Sequence, residues 1–188
     1  MKQKSGFTNA AKYKCLEDLQ MESVELCLTY CGLEECDSGH RVGPNRRKCY
    51  VLHVVTDGKG TYETKNKIHH LKKGDAFLIY PDEDCYYQAD EENPWSYIWV
   101  GFTGMKAEEC IIHSGFSVKN HVKKVSNITQ LHDLVTAMLE ARDLTYANEL
   151  KRNGLLSFFF SELIEEYSKH VSVVQMKYSY TGYGYVKN

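Results

Sequence analysis

Residues 95–102 read WSYIWVGF, and their alternation decides the fold. On an extended chain Trp95, Tyr97, Trp99 and Gly101 share one side, while Ser96, Ile98, Val100 and Phe102 share the other. Working back from this strand, Asn93-Pro94 is a break, Cys85–Ala89 is a strand, and Pro81-Asp82-Glu83-Asp84 is a turn. Ala76–Tyr80 (AFLIY) is a nearly continuous apolar run entered through Lys73-Gly74-Asp75. Thr61–Thr64 and Ile68–Leu71 flank the polar Lys65-Asn66-Lys67 turn, and Tyr50–Thr56 (YVLHVVT) ends at Asp57-Gly58. Many short strands separated by regular turn signals predict a β-sandwich or barrel.

The flanks differ from this middle. Val24, Leu26, Leu28 and Tyr30 alternate with Glu25, Cys27, Thr29 and Cys31, the pattern of a half-buried strand. Residues 32–44 are rich in Gly, Asp and Ser and read as loop, and residues 1–20 read as a polar arm outside the core. After residue 126 the period becomes helical. Ser126 or Asn127 is placed to cap a helix carrying Ile128, Leu131, Leu134, Val135, Met138 and Leu139. A second helix, roughly Glu149–His170, shows one stripe of Leu150, Leu155, Phe158, Phe159, Leu163 and Tyr167. A second stripe is Leu156, Phe160 and Ile164. Two stripes call for two neighbours: the protein's own barrel or first helix, and either more of the same monomer or a second copy. Residues 171–188 hold Tyr178, Tyr180, Tyr183 and Tyr185 with few aliphatics, and read as a linker.

Bulk properties narrow the function. At 188 residues the chain holds one well-filled domain with a small appendage. No apolar run approaches the roughly 18–20 residues that span a bilayer, and MKQKSGFTNA lacks a signal peptide's apolar segment, so a cytoplasmic location is expected. Net charge is -2, and the one basic cluster is Arg41, Arg46, Arg47 and Lys48. The fragment is therefore not expected to grip nucleic acid itself. None of the seven cysteines falls in a C-x-x-C pair, so they read as reduced, apolar side chains.

Two ordered stretches carry a family likeness. The first is Gly39-His40, Gly43-Pro44, Arg47, Tyr50-Val51-Leu52-His53 and Gly58-Lys59-Gly60. The second is Lys73-Gly74-Asp75 through Pro81, then Tyr86-Tyr87, then Pro94-Trp95 through Gly104. Together they resemble the sensor domains of AraC-type transcription regulators, particularly raffinose and multiple-sugar-metabolism regulators of Gram-positive bacteria, over residues 21–188. The resemblance implies a mostly β protein with α: a cupin (jelly-roll β-barrel) over 21–125, followed by an antiparallel helix pair over 126–170 that dimerises. Residues 1–20 would be an N-terminal arm, and 171–188 a linker toward a DNA-binding domain absent from this chain. It implies a ligand-sensing activator of a sugar-utilisation operon, a homodimer contacting DNA only through the missing helix-turn-helix part.

Cupins that bind a catalytic metal use a His-x-His pair and a Glu on one strand and a later His. Here no His-x-His follows Gly60, and the adjacent His69 and His70 point to opposite faces of a strand. Tyr86 stands where the later His would be. No G-x-S-x-G, P-loop or dinucleotide fingerprint occurs either. No catalytic residue, metal or cofactor is expected, and the alternative is a cupin-type sugar isomerase or epimerase.

The likeness also supplies site residues. Tyr87 and Trp99 fall on sugar-contacting positions of the arabinose-responsive member, and Tyr97 falls on a contacting histidine. That member's sugar-binding arginine falls near Gly43, so Arg47 is the favoured replacement, with His40 second. His53 either faces the lumen or is a satisfied core residue. The aromatic strand either walls a pocket for a small carbohydrate or fills the barrel.

Overall fold

The computed structural model describes residues 5–19, 23–65 and 67–170. In chain order the strands are β1 (Gly6–Asn9), β2 (Tyr13–Glu17), β3 (Cys27–Glu35), β4 (Arg41–Arg46), β5 (Tyr50–Asp57), β6 (Lys59–Thr64) and β7 (Lys67–Lys72). They continue with β8 (Asp75–Ile79), β9 (Asp84–Ala89), β10 (Ser96–Thr103) and, after helix α1 (Ala107–His113), β11 (Val122–Lys124). Helices α2 (Ile128–Glu140) and α3 (Tyr146–His170) follow. One sheet has the order β1-β2-β3-β10-β5-β8-β11, and a second, smaller sheet has β4-β9-β6-β7. The mostly β architecture with a C-terminal helix pair is the one expected.

Period-two alternation divides the large sheet into two cores. Leu52, Val54, Ala76, Leu78, Ile98, Val100 and Phe102 point outward, into a cluster with Leu131, Val135 and Met138 of α2 and Leu156, Phe159 and Phe160 of α3. The rings of Phe102 and Phe160 meet edge to face at 4.8 Å. Val51, Val55, Phe77, Ile79, Tyr97 and Trp99 point inward, toward Tyr62, Leu71, Cys85, Tyr87 and Ala89 of the small sheet. Burial on both faces explains why AFLIY reads as an apolar run rather than an alternation.

Strand β3 changes phase part-way. Gly101 pairs with Tyr30 but Phe102 pairs with Leu28, so Thr29 is an extra residue in a β-bulge. The bulge lets Leu28 join the outer core while Tyr30 joins the inner one.

Three segments differ from the sequence reading. Residues 6–17, expected as an arm, form two strands on the edge of the large sheet, with β2 paired to β3. Cys15 joins the inner core and Leu16 the outer, the opposite facing of neighbours on a strand. The stretch expected as loop over 32–44 contains the end of β3 and the start of β4. Asn127 stands at the N-cap of α2 but makes no side-chain cap bond. Instead its Nδ2 donates to Glu162 (3.3 Å), and the Ser126 amide donates to Glu166 (2.6 Å), both on α3. At the other end, buried Arg152 donates from Nη1 to the carbonyls of Ala141 (2.5 Å) and Asp143 (3.1 Å), satisfying acceptors left open where α2 stops. The linker expected over 171–188 lies outside the described residues.

Candidate functional site

Inward-facing side chains of the large sheet do not fill the space between the sheets. A cavity of about 310 Å³ remains, walled by β2, β3, β5, β9 and β10 and by the chain around His40 and Arg47. All six sequence-predicted residues, His40, Arg47, His53, Tyr87, Tyr97 and Trp99, border it. Tyr13, Cys15 and Glu17 of β2 and Tyr30 and Glu34 of β3 border it as well, and sequence reasoning missed them. A signal existed: Tyr13/Cys15/Glu17 and Tyr30/Gly32/Glu34 are period-two sets, the first in the segment read as arm and the second running from a strand into the segment read as loop.

Two aromatic–glycine pairs shape the wall. Trp99 pairs across strands with Gly32, and Gly101 with Tyr30. A Cβ on Gly32 would lie 2.1 Å from the Trp99 ring, and one on Gly101 2.7 Å from the Tyr30 ring. Each ring therefore occupies space that a side chain at the glycine would take. Tyr13 of β2 stands 5.7 Å from Trp99, centroid to centroid.

His53 sits deepest. It stacks on Phe77 at 4.5 Å and 1°, and meets Tyr87 at 5.2 Å and Tyr97 edge-on at 5.3 Å. Burial drives its pKa down to about 3, with the Arg47 charge as the lesser cause, so the imidazole is neutral at physiological pH. Its Nδ1 has no hydrogen-bond partner among the described residues, and neither does the buried Tyr30 hydroxyl. The Arg47 guanidinium lies 5.8 Å from the centre of the Tyr30 ring and makes no ion pair among the described residues.

Opposite charge enters on β3. The Tyr97 hydroxyl donates to Glu34 Oε2 at 2.8 Å, and His40 Nε2 lies 3.5 Å from Glu34 Oε1. Burial raises the phenol pKa of Tyr97, Tyr87 and Tyr30, so all three remain neutral donors. Burial also raises the Cys15 thiol, the wrong direction for a nucleophile.

The cavity thus offers aromatic faces, a cation without a counter-ion, a carboxylate, and two buried polar atoms lacking partners. Such groups suit a neutral, many-hydroxylated ligand that presents an apolar C–H face to rings and hydroxyls to polar tips. Glu34 and His40, with Cys36, also place metal-ligating atoms near one another.

The AraC-like ligand binding domain matches residues 28–160. The chain is 34% identical over 151 residues to the Msm operon regulatory protein of Streptococcus mutans, covering 80% of this chain and 54% of that protein. It is 30% identical over 172 residues to the raffinose operon transcriptional regulatory protein RafR of Pediococcus pentosaceus, covering 88% of this chain and 60% of that protein. It therefore spans between half and two thirds of the length of these relatives. Among solved structures it is similar to a cupin protein from Bacteroides fragilis, with a TM-score of 0.42 and 16% identity, covering 66% of this chain and 100% of that one.

Proposed function

The chain belongs to the AraC-like ligand-binding domain family, and on that premise we propose that it senses a small carbohydrate for a regulator of sugar utilisation. The observation that carries the reading is the convergence of Trp99, Tyr97, Tyr87, His53, Arg47 and His40 on one cavity that also holds polar atoms without partners. The sugar-operon relatives support the ligand class. The protein acts by binding, in the cytoplasm, and not by catalysis. The complete regulator contacts DNA through a part outside this chain, in keeping with the net charge of -2.

Ligand binding shifts an equilibrium only if two states bind it differently. Strand β2 is the element best placed to differ. It carries Tyr13, Cys15 and Glu17 into the cavity wall, yet belongs to the edge pair of the sheet. A filled cavity holds this edge in place, and an empty one releases it.

The test is a thermal-shift and tryptophan-fluorescence screen against raffinose, melibiose, lactose and their component monosaccharides. A saccharide at a hundredfold excess over its Kd stabilises the fold by about 2.7 kcal/mol. Trp99→Ala should abolish both responses. A panel without a responder, or turnover of a bound saccharide, would overturn the reading.

The helix pair serves as the dimerisation element in this proposal. Tyr146, Leu150 and Phe158 of α3 are exposed and fall at four- and eight-residue steps, and Gly154 between them has open space beside it. That stripe fits a second copy of the same helix. Light scattering should give a dimer at tens of micromolar, and Phe158→Lys a monomer; a monomeric unsubstituted protein would refute this part.

A further inference from the structure

Glu34-x-Cys36-x-x-x-His40 matches neither a paired-cysteine zinc motif nor the His-x-His of a metal-binding cupin. Folding nevertheless gathers its donors: a Glu34 carboxylate oxygen, Cys36 Sγ and a His40 ring nitrogen all lie within 4.8 Å of one another. The chain path accounts for this. Glu34 and Cys36 are two residues apart at the end of an extended segment, so their side chains share a side. The chain then reverses, closed by the His40 amide donating to the Asp37 carbonyl at 3.0 Å, with Gly39 at φ 65°. The reversal returns the imidazole to Glu34.

This turn is fastened from outside. The Cys36 amide donates to the Trp95 carbonyl (3.1 Å), the Ala89 amide to the His40 carbonyl (2.9 Å), and the Ser38 hydroxyl to the Glu91 carbonyl (2.7 Å). Tyr97 binds the Oε2 of Glu34 and so orients the carboxylate with Oε1 toward His40, the arrangement that outer hydrogen bonds give to metal-ligating carboxylates.

We propose that Glu34, Cys36 and His40 bind one divalent transition-metal ion of the zinc and cobalt class at the rim of the cavity. One thiolate, one imidazole and one carboxylate suit those ions and exclude magnesium and calcium, which take oxygen ligands. With bonds of about 2.0–2.3 Å, tetrahedral donors stand about 3.5 Å apart, a contraction that side-chain rotation supplies. Cys36 is buried, and the ion binds as the thiol gives up its proton to solvent. Glu34 and His40 also border the cavity, so the open fourth position faces it. All three donors are side chains of this protein, so metal binding is read with no saccharide present.

Chelator-treated protein is titrated with zinc and, separately, with cobalt(II), reading bound metal per chain and the visible spectrum. One ion per chain is expected, with a thiolate-to-cobalt charge-transfer band that Cys36→Ser removes. His40→Gln, a substitution of a half-exposed turn residue that leaves the fold intact, should weaken zinc binding by 10- to 100-fold, and Tyr97→Phe by about tenfold. Absence of stoichiometric metal, or equal affinity in His40→Gln with an unchanged circular dichroism spectrum, overturns the proposal.

Discussion

The two faces of the large sheet are made by the same strands and do opposite things. Outward, β5, β8 and β10 present Leu52, Val54, Leu78, Ile98, Val100 and Phe102, an apolar set closed by α2 and α3. Inward, they present Val51, His53, Phe77, Ile79, Tyr97 and Trp99, and leave about 310 Å³ open. The unpartnered His53 Nδ1 and Tyr30 hydroxyl both belong to the inner side. Along these strands the outer face is apolar, and the inner one retains polar groups that folding alone leaves unsatisfied. Because side chains alternate, the two roles are interleaved residue by residue along one stretch of chain.

Substitutions on either face break or sharpen this contrast. The largest loss is expected outside. Phe160→Ala removes the ring packed on Phe102 and should cost about 3–5 kcal/mol in urea unfolding while leaving the cavity residues in place. A loss below about 1 kcal/mol would mean that the helices contribute little to the sheet's stability. Gly32→Ala comes next. Its Cβ would meet the Trp99 ring at 2.1 Å and the Lys14 carbonyl at 2.4 Å, an overpacking worth about 1–3 kcal/mol. Its signature is a shifted Trp99 emission, and unchanged emission would place the strain elsewhere.

His53→Phe should alter stability least at neutral pH, since it exchanges an orphaned polar ring for an apolar one of similar shape. Its effect appears on acidification. The unfolded imidazole binds a proton near 6.5, while the folded one resists until about 3. The unsubstituted protein therefore loses stability as pH falls from 6.5 toward 3, at about 1.4 kcal/mol per pH unit from this residue. Unfolding curves across that window should show the slope reduced by this amount in His53→Phe, and identical slopes would refute the neutral, buried assignment.

Where both faces of an element carry a pattern, the sequence was readable. Strands β5 to β10 and helices α2 and α3 follow from alternation and from three- and four-residue steps. Helix α1 escaped notice because only Ala107 and Ile111 of its seven residues are buried. The β1–β2 pair escaped because an edge pair buries few side chains, leaving Cys15 and Leu16 to mark it. The site divides along the same line. Residues on β5, β9 and β10 were named from sequence, and the structure sets them on one cavity with His40 and Arg47. Tyr13 and Glu34 were not named, since each lies in a segment read as irregular. The Glu34–Cys36–His40 grouping depends on a chain reversal that no spacing rule encodes.

The bulge at Thr29 has a consequence of its own. It acts as a phase shift in the chain: residues before it keep one parity toward the cavity, and those after it keep the other. A gene that lost this single codon would still encode every core residue. Leu28 would then adjoin Tyr30 directly, keep Phe102 as its partner and stay on the outer face, with the ladder regularised and the local bend lost. A one-residue deletion at Thr29 is therefore better tolerated than one elsewhere in β3, which would turn every side chain upstream of it to the other face.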